Sequence, residues 1–416
     1  MRQSQLFTKT RKEAPKDEVA KNAILLSRAG YIHKEMAGVY SLLPLGLRVV
    51  KKLESIIREE MNAIGGEEMK TSIFQSKEVW KKTNRWDDTA VDSWFKTKLK
   101  NGTEIGLSFT NEEAYANIMK QYVSSYKDLP AYPYDFKDIF RNEIRSKSGI
   151  LRGREFYWKA LYSFSKDEEE HAVFYEKAKG AYQTIFNRVG IGNLTHLTFA
   201  SGGSFSKYSH EFQTLTEAGE DVIYLSREKN LAINKEVYTD EVLKDLNLSK
   251  DDVIEEKAIE VGNIFTLGVR FSEPLGLYYT DEDGEKKPVF MGSYGIGLGR
   301  LMGAVVEALS DENGLIWPAS ISPTRAHLLL LGNSGDSREL ADEIYKTLTT
   351  EGVEILYDDR DVRAGEKFAD ADLMGITTQI IVGDKSSSGG MLEVRDRATH
   401  DKREMTIEHI IKELTA

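Results

Sequence analysis

The chain contains no cysteine. Disulfide frameworks, zinc–thiolate sites and thiol nucleophiles are therefore excluded. It also lacks any apolar run approaching the roughly 20 residues that a membrane-spanning helix needs. An excess of positive charge is missing as well: 56 Lys/Arg against 67 Asp/Glu give a net charge of −11. That balance argues against indiscriminate nucleic-acid binding, so a nucleic-acid partner must be met by local patches. Two nucleotide-binding signatures are absent too. Gly295, Gly297 and Gly299 do not give G-x-G-x-x-G, and the G-K-[ST] of a P-loop is missing. What remains is an ordinary composition, 40% hydrophobic and 30% charged over 416 residues. That length accommodates two or three domains with ample core.

The stretch Phe140–Phe164, FRNEIRSKSGILRGREFYWKALYSF, carries the most chemistry. Its pattern predicts two strands joined by a basic, glycine-containing loop. Alternation places Arg141 and Glu143 on one face of the first strand. The second strand has Phe156, Trp158, Ala160, Tyr162 and Phe164 on one side. Arg145, Lys147, Arg152 and Arg154 lie between them, with Gly149 and Gly153 permitting unusual backbone angles. Guanidiniums suit phosphates and a ring suits a base. The same pattern also describes a surface hairpin with a solvated charged tip. Residues Val289–Arg300, VFMGSYGIGLGR, form a glycine-rich strand-to-helix junction. Glycines at alternate positions bare a strand face, and Arg300 adds its charge to a helix N-terminus that favours anions.

R-N-E, a loop and then R-G-R-E-F resembles motif 2 of the class II aminoacyl-tRNA synthetases, with wording most similar to the bacterial-type prolyl-tRNA synthetases. The resemblance assigns the α-phosphate and substrate carboxylate to Arg141 and the outer ATP phosphates to Arg152. It stacks adenine on Phe156 and sets Glu143 near the adenine amino group. Val289–Arg300 resembles motif 3, in which Gly297 and Gly299 floor the adenosine site and Arg300 meets the γ-phosphate. Ser293 stands where the family has Cys. Pro44 opens a helix that runs to Gly65-Gly66 and is followed by a strand over Glu68–Phe74. That pair resembles motif 1 (about 44–74), which implies a homodimer, although Ser72 replaces the family's proline.

Further segments follow the same family order. Thr110-Asn111-Glu112 reads as a helix start, with Thr110 capping and Glu112 or Glu113 supporting the first turn. It equally matches the family's T-x-E, which binds the secondary amine of proline. GGSFSKYSHEF (202–212) resembles the segment lining the proline pocket, with His210 either a pocket residue or a hydrogen-bonded structural group. Trp158 occupies a position where bacterial members often have Met, and Ala160 replaces their acidic residue, implying a pocket walled by an indole. Glu260 and Asn263 resemble the class II E-x-x-S/N pair, whose oxygen ligands suit Mg²⁺. Glu260 alternatively reads as an edge-strand carboxylate. Residues 220–255 read as short, charged and helix-like, leaving no room for the large editing domain of typical bacterial members.

Pro318 and Pro323 mark a boundary, after which strands alternate with helices. DDRDVRAGEKFADADLMGI resembles the class IIa anticodon-binding domain. Residues 324–416 hold 12 Lys/Arg and 19 Asp/Glu, so base readout would fall to a few side chains, with Arg360, Arg363 and Lys385 as candidates. The expected fold class is α/β. An α+β catalytic domain (1–320), built on a class II antiparallel sheet with flanking helices, precedes an α/β anticodon-binding domain with a mixed sheet (321–416). Motif 2 is placed at about 136–164 and motif 3 at about 289–309. The resemblance implies ATP-dependent activation of proline and its transfer to tRNA(Pro), with ATP and Mg²⁺ required. A class IIa synthetase for threonine or glycine, or a synthetase-like tRNA-binding protein without charging activity, is the alternative. The resemblance begins at Met1, so no presequence is expected, and the expected location is cytoplasmic, with no membrane partner.

Overall fold

A computed structural model describes residues 1–144, 146, 148–201, 208–386 and 390–415. Arg145, Lys147 and Gly202–Lys207 of the segments singled out above lie outside the described residues. The chain forms two compact units: Met1–Glu35, Tyr40–Lys52 and Val305–Ala416, and then Met36–Val39 with Leu53–Ala304. Among the described residues no helix is long and apolar enough to cross a membrane.

The second unit is organised by a nine-stranded, mostly antiparallel sheet. Its strands are β1 (Glu67–Glu68), β2 (Pro133–Phe140), β3 (Glu155–Ser165), β4 (Thr195–Ser201), β5 (Tyr208–Leu215), β6 (Asp221–Ser226), β7 (Leu231–Asn234), β8 (Ile254–Gly268) and β9 (Phe290–Gly297). They lie in the order β5-β4-β7-β6-β8-β9-β3-β2-β1, and β5 returns to pair with β8. Register then decides what shares a face. Phe265 lies opposite Ser293, and Ser293 opposite Tyr162, so three adjacent strands present these side chains in a row. The alternate residues point to the other face, where helix Glu168–Val189 covers the sheet. That helix starts at Asp167, whose carboxylate accepts from the Glu170 amide, and stops at Gly190 with φ +93°. Lys159 is fully buried on this side and donates to Tyr182 Oη (2.7 Å) and the Tyr294 carbonyl (3.0 Å).

Several expected elements differ. Helix Lys21–Arg28 ends just before Gly30, which turns the chain at φ +77°, and Ile32–Met36 is a strand. The helix beginning at Pro44 runs to Ala63 as expected. The strand expected over Glu68–Phe74 is interrupted. Asp135 accepts from the Thr71 amide (3.2 Å), and Lys137 donates to Thr71 Oγ1 (2.8 Å) and the Ser72 carbonyl (2.9 Å), so side chains replace the ladder. The interval 220–255 is no helical segment: it supplies β6, β7 and only a six-residue helix, Asp240–Asp245. Ile223 and Leu225 pack with Ala232 in one small core, while Ile233 packs with Val242 and Leu243 in another.

Within the first unit, residues 324–416 form a five-stranded mixed sheet of β10 (Ala326–Leu330), β11 (Ile355–Asp358), β12 (Thr378–Val382), β13 (Leu392–Asp396) and β14 (Lys402–Met405). The order is β11-β10-β12-β13-β14, parallel across the first three strands and antiparallel beyond. Helices Gly335–Thr350, Ala364–Met374 and Ile407–Thr415 accompany it, and Ile344, Leu348, Ile380 and Val394 contribute to one buried core. This is the mixed sheet expected for the C-terminal domain.

Candidate active site

Two cavities open on one region of the nine-stranded sheet. The larger encloses about 720 Å³ of open space, lined by Arg85, Phe109–Glu112, Ile139, Arg141, Trp158, Tyr162, Asn263, Phe265, Leu267 and Ser293. The smaller, about 400 Å³, is lined by Leu151, Arg152, Glu220, Asp221, Ile259, Glu260 and Arg300. A hydrogen bond from Asn263 Nδ2 to Glu260 Oε1 (2.8 Å) joins their walls.

The larger cavity holds a buried carboxylate with three side-chain donors. Glu112 begins helix Glu112–Met119 and is buried, 8% exposed. Its carboxylate accepts from Thr110 Oγ1 (2.8 Å), Tyr162 Oη (3.1 Å) and Arg85 (3.2 Å). Thr110 is therefore not the helix cap. Asn111 holds that position and makes no side-chain cap, because its Oδ1 accepts from Lys137 (3.0 Å) and Ser108 (3.0 Å). Gln75 fixes the neighbouring backbone by donating to the Thr110 carbonyl (2.7 Å). Arg85 lies over the rings of Trp80 (4.9 Å) and Phe271 (5.2 Å). Burial alone would lower its basicity; Glu113 and Glu112 outweigh that and keep it charged.

Trp158 forms one wall. Its indole lies across the strip bared by β9: a Cβ on Gly295 would collide with the ring edge and come within 2.9 Å of Asn263 Oδ1. On Gly297 a Cβ would be 3.4 Å from Trp158 Cε3, and on Gly299 it would be 3.9 Å from the Ile150 carbonyl oxygen. The expectation that alternating glycines leave an open floor is corrected here: at Gly295 the indole takes the space. Phe156 is half-buried, its ring 5.7 Å from that of Trp158 at a steep angle.

Strand β2 ends at Phe140, one residue short of Arg141, which corrects the expected strand placement of Arg141 and Glu143. The Arg141 amide still bonds to the Arg154 carbonyl (2.8 Å), but the Asn142 amide turns away to the Ser93 carbonyl (2.7 Å). Arg154 braces the turn, donating to the carbonyls of Glu143 (3.0 Å) and Ala37 (2.6 Å). The Arg141 guanidinium sits between Phe109 (5.1 Å) and Phe156 (5.4 Å). Among the described residues it has no carboxylate within ion-pair distance. Burial first, then the Arg300 charge, lowers its basicity, while Glu260, Glu112 and Glu143 support its charge from a distance.

In the smaller cavity the cations have partners. Arg300 donates to Glu260 Oε2 (2.8 Å) and to the Leu151 carbonyl (3.0 Å). Arg152 pairs with Glu220 (3.4 Å), which also accepts from Ser148 (2.6 Å). Behind them Glu211 is pushed up to about 8 by burial and then by the Glu260 charge, although Gln213 and Asn234 donate to it. Glu211 and Glu260 thus crowd each other, and the oxygens of Glu260 and Asn263 are of the type a hard cation takes, although Glu260 now accepts from Asn263 and Arg300. Among the described residues no three carboxylates or imidazoles converge on a metal position.

Other expected residues fall elsewhere. His210 is not among the residues lining either cavity. It bonds to Tyr175 Oη (2.8 Å), packs on Phe199 (4.7 Å), and burial pulls its imidazole down to about 4. Its structural reading is the one the contacts support. Arg360 is tied to Asp358 (2.7 Å) and Asp370 (2.9 Å), so it serves an internal ion pair; Arg363 and Lys385 are exposed. Sequence reasoning missed Arg85, and it placed Tyr162 on the strand face without its contact to Glu112. The only local signal for Arg85 is its place between Trp80 and Trp86.

A family profile described as the tRNA synthetase class II core domain (G, H, P, S and T) matches residues 95–309, and the anticodon binding domain profile matches 324–416. Two curated proteins named proline–tRNA ligase are similar over nearly their whole length. That of Hyphomonas neptunium is 35% identical, covering 100% of this chain and 99% of its own; that of Agrobacterium fabrum is 37% identical, covering 98% of both. Among solved structures, prolyl-tRNA synthetase of Cryptosporidium parvum with L-proline and AMP has a TM-score of 0.74 at 16% identity, over 94% of this chain and 74% of that one. The Giardia lamblia enzyme with prolyl-adenylate has a TM-score of 0.76 at 19% identity, over 93% and 74%. These two likenesses are of fold.

Proposed function

The chain belongs to the proline–tRNA ligase family of class II aminoacyl-tRNA synthetases, and we propose that it activates proline with ATP and transfers the prolyl group to tRNA(Pro). The observation that carries this reading is the placement of Arg141. It is a half-buried cation with no carboxylate within ion-pair distance among the described residues, between the anion Glu112 and the cations Arg300 and Arg152. An amino acid whose amine rests on Glu112 and Thr110 has its carboxylate toward Arg141, with its ring against Trp158, beside Ser293. The α-phosphate of ATP meets the same guanidinium, adenine lies on Phe156 near Glu143, and the outer phosphates reach Arg152 and Arg300 beside Gly297 and Gly299.

The carboxylate then attacks the α-phosphorus, giving prolyl-adenylate and pyrophosphate; the terminal ribose hydroxyl of the tRNA attacks the prolyl carbonyl, loses its proton and displaces AMP. No side chain acts as a nucleophile. Positioning and preorganised positive charge do the work. Glu260 and the Asn263 amide oxygen would hold Mg²⁺, which neutralises phosphate charge when bound and keeps most of its waters. Two copies pair through the motif 1 segment, where Ile73 and Phe74 are exposed (37% and 61%). Arg363 and Lys385 reach the anticodon, and the protein works in the cytoplasm. The test is ATP–pyrophosphate exchange with each of the twenty amino acids in turn. Proline alone should drive it; threonine or glycine doing so instead would overturn the reading.

A further inference from the structure

Glu113 follows Glu112 in the chain but plays no part in the scheme above. It is fully buried (0% exposed) and absent from the cavity wall. Its Oε1 accepts from Thr83 Oγ1 (2.8 Å) and Arg85 (3.0 Å), and its Oε2 accepts from the same Arg85 nitrogen (3.2 Å). That nitrogen also reaches Glu112 Oε2 (3.2 Å). One guanidinium is thus shared between a carboxylate that faces the ligand and one that does not.

The charges make the consequence definite. Arg85 and Glu112 alone sum to zero, and a neutral pair is a poor site for a cationic amine. With Glu113 ionised the trio carries −1, and Arg85 has a second carboxylate to rest on. The geometry points to Glu113 as a positioning residue that holds Arg85 back from neutralising Glu112 and so sets the affinity of the site for the substrate's ammonium. This rests on the reading that Glu112 receives the amine.

Glu113 is also suited to switch. Burial pushes its carboxyl up to about 7, the Glu112 charge adds to the rise, and Arg85 and the Thr83 hydroxyl oppose it. Helix Lys77–Lys82 and the residues after it supply Thr83 and Arg85; the Ser272–Leu275 turn is preceded by Phe271, whose ring covers Arg85; and Tyr162 of β3 reaches Glu112. Among the described residues the charged groups in hydrogen-bond or ion-pair contact with Glu113 and its guanidinium partner are Arg85 and Glu112. Protonation below about pH 7 removes the −1, so amine affinity falls as pH falls. By linkage, an ammonium bound at Glu112 favours ionised Glu113 and expels its proton.

The experiment measures kcat/KM for proline in pyrophosphate exchange between pH 5.5 and 8.5, with ATP saturating, for the wild-type enzyme, Glu113→Gln, Thr83→Val and Glu112→Gln. The wild-type profile should fall toward acid through about pH 7. Glu113→Gln should raise the proline KM about tenfold to a hundredfold at pH 8, leave the ATP KM unchanged and abolish that acid limb. Thr83→Val removes a donor to the ionised form, so the limb should move to higher pH; it decides the matter if Glu113→Gln does not fold. A wild-type proline KM and limb in Glu113→Gln, or an unmoved limb in Thr83→Val, would overturn the proposal. If Glu112→Gln raises the proline KM while Glu113→Gln does not, only this inference fails. If Glu112→Gln is also neutral, the amine reading itself fails.

Discussion

The two ends of the site meet their charges differently. At the end proposed for the amine, Glu112 is held by Thr110, Tyr162 and Arg85 on a helix start and two neighbouring elements, and these three donors fix its position. At the end proposed for the phosphates, Arg300 rests on Glu260 and Arg152 on Glu220, so a phosphate binding there would take these cations from carboxylates. The first arrangement selects by fit to a fixed anion. The second selects by exchange, and part of each gained ion pair offsets one that is lost. Arg141 stands between them and belongs to neither pattern, since among the described residues no carboxylate lies within ion-pair distance of it.

That singularity gives the largest expected effect. Arg141→Ala should lower proline-dependent pyrophosphate exchange by about 10²–10³, the usual loss for one preorganised charge-stabilising donor, with the melting temperature little changed. Exchange within a few-fold of wild type would mean that the parked arginines suffice and that the contrast between the ends is only apparent.

Next comes selection at the amine end. A site built around an ammonium and an indole admits alanine, which keeps the amine and loses ring contacts. Each missing methylene is worth roughly 10- to 200-fold, so misactivation is reduced but finite. Residues 220–255 are occupied by β6, β7 and a short helix with their own small cores, and hold no further domain that could hydrolyse a misacylated product. Preformed Ala-tRNA(Pro) should therefore decay at the same rate with and without enzyme. Rapid enzyme-dependent deacylation that survives in Arg141→Ala would place an editing site elsewhere in the chain.

How legible this was in the sequence depends on how local each signal is. Phe156 and Trp158 could be read onto one strand because alternation carries that within a few residues, whereas the end of β2 at Phe140, just before Arg141, left no such mark. The alternating strands and helices of residues 324–416 were legible for the same reason. Strand Lys402–Met405 was not: its exposed Lys-Arg-Glu sequence is that of a charged edge strand, which blunts pairing and erases the hydrophobic alternation. The break after Glu68 was hidden because Thr71 takes its partners from Asp135 and Lys137, more than sixty residues away. Arg85 reaches Glu112 across 27 residues, and nothing near Arg85 announces a carboxylate. Gly295 was read as clearing space for a ligand, whereas the space is cleared for the protein's own Trp158.

Trp158 accordingly offers an intermediate effect. The ring is half-buried, so Trp158→Ala should weaken proline binding by about 2 kcal/mol, below the ~3–5 of a fully buried ring. Gly295→Ala pushes the same indole toward the cavity and should weaken proline binding while sparing ATP binding. In the double variant the added methyl meets no ring, so the two losses should not add. Strict additivity would show that Gly295 acts on the backbone rather than through the indole.

The smallest effect tests the exchange at the phosphate end. Arg152 and Glu220 are 50% and 35% exposed, separated by 3.4 Å, and pairs of this kind are worth about 0.2–1 kcal/mol. If Glu220 only holds Arg152 until phosphate arrives, Glu220→Gln frees the guanidinium and the ATP KM should fall by roughly 1.5- to 5-fold. The gain should shrink in high salt, where exposed pairs are screened, and should vanish in an Arg152→Ala background, which has nothing to release. The proline KM should not respond, because Glu112 and its three partners do not touch Glu220. A rise in the ATP KM would reverse the interpretation: Glu220 would then grip the nucleotide's cation or order the Ser148–Arg152 turn for it, and the phosphate end would be as fully prepared as the amine end.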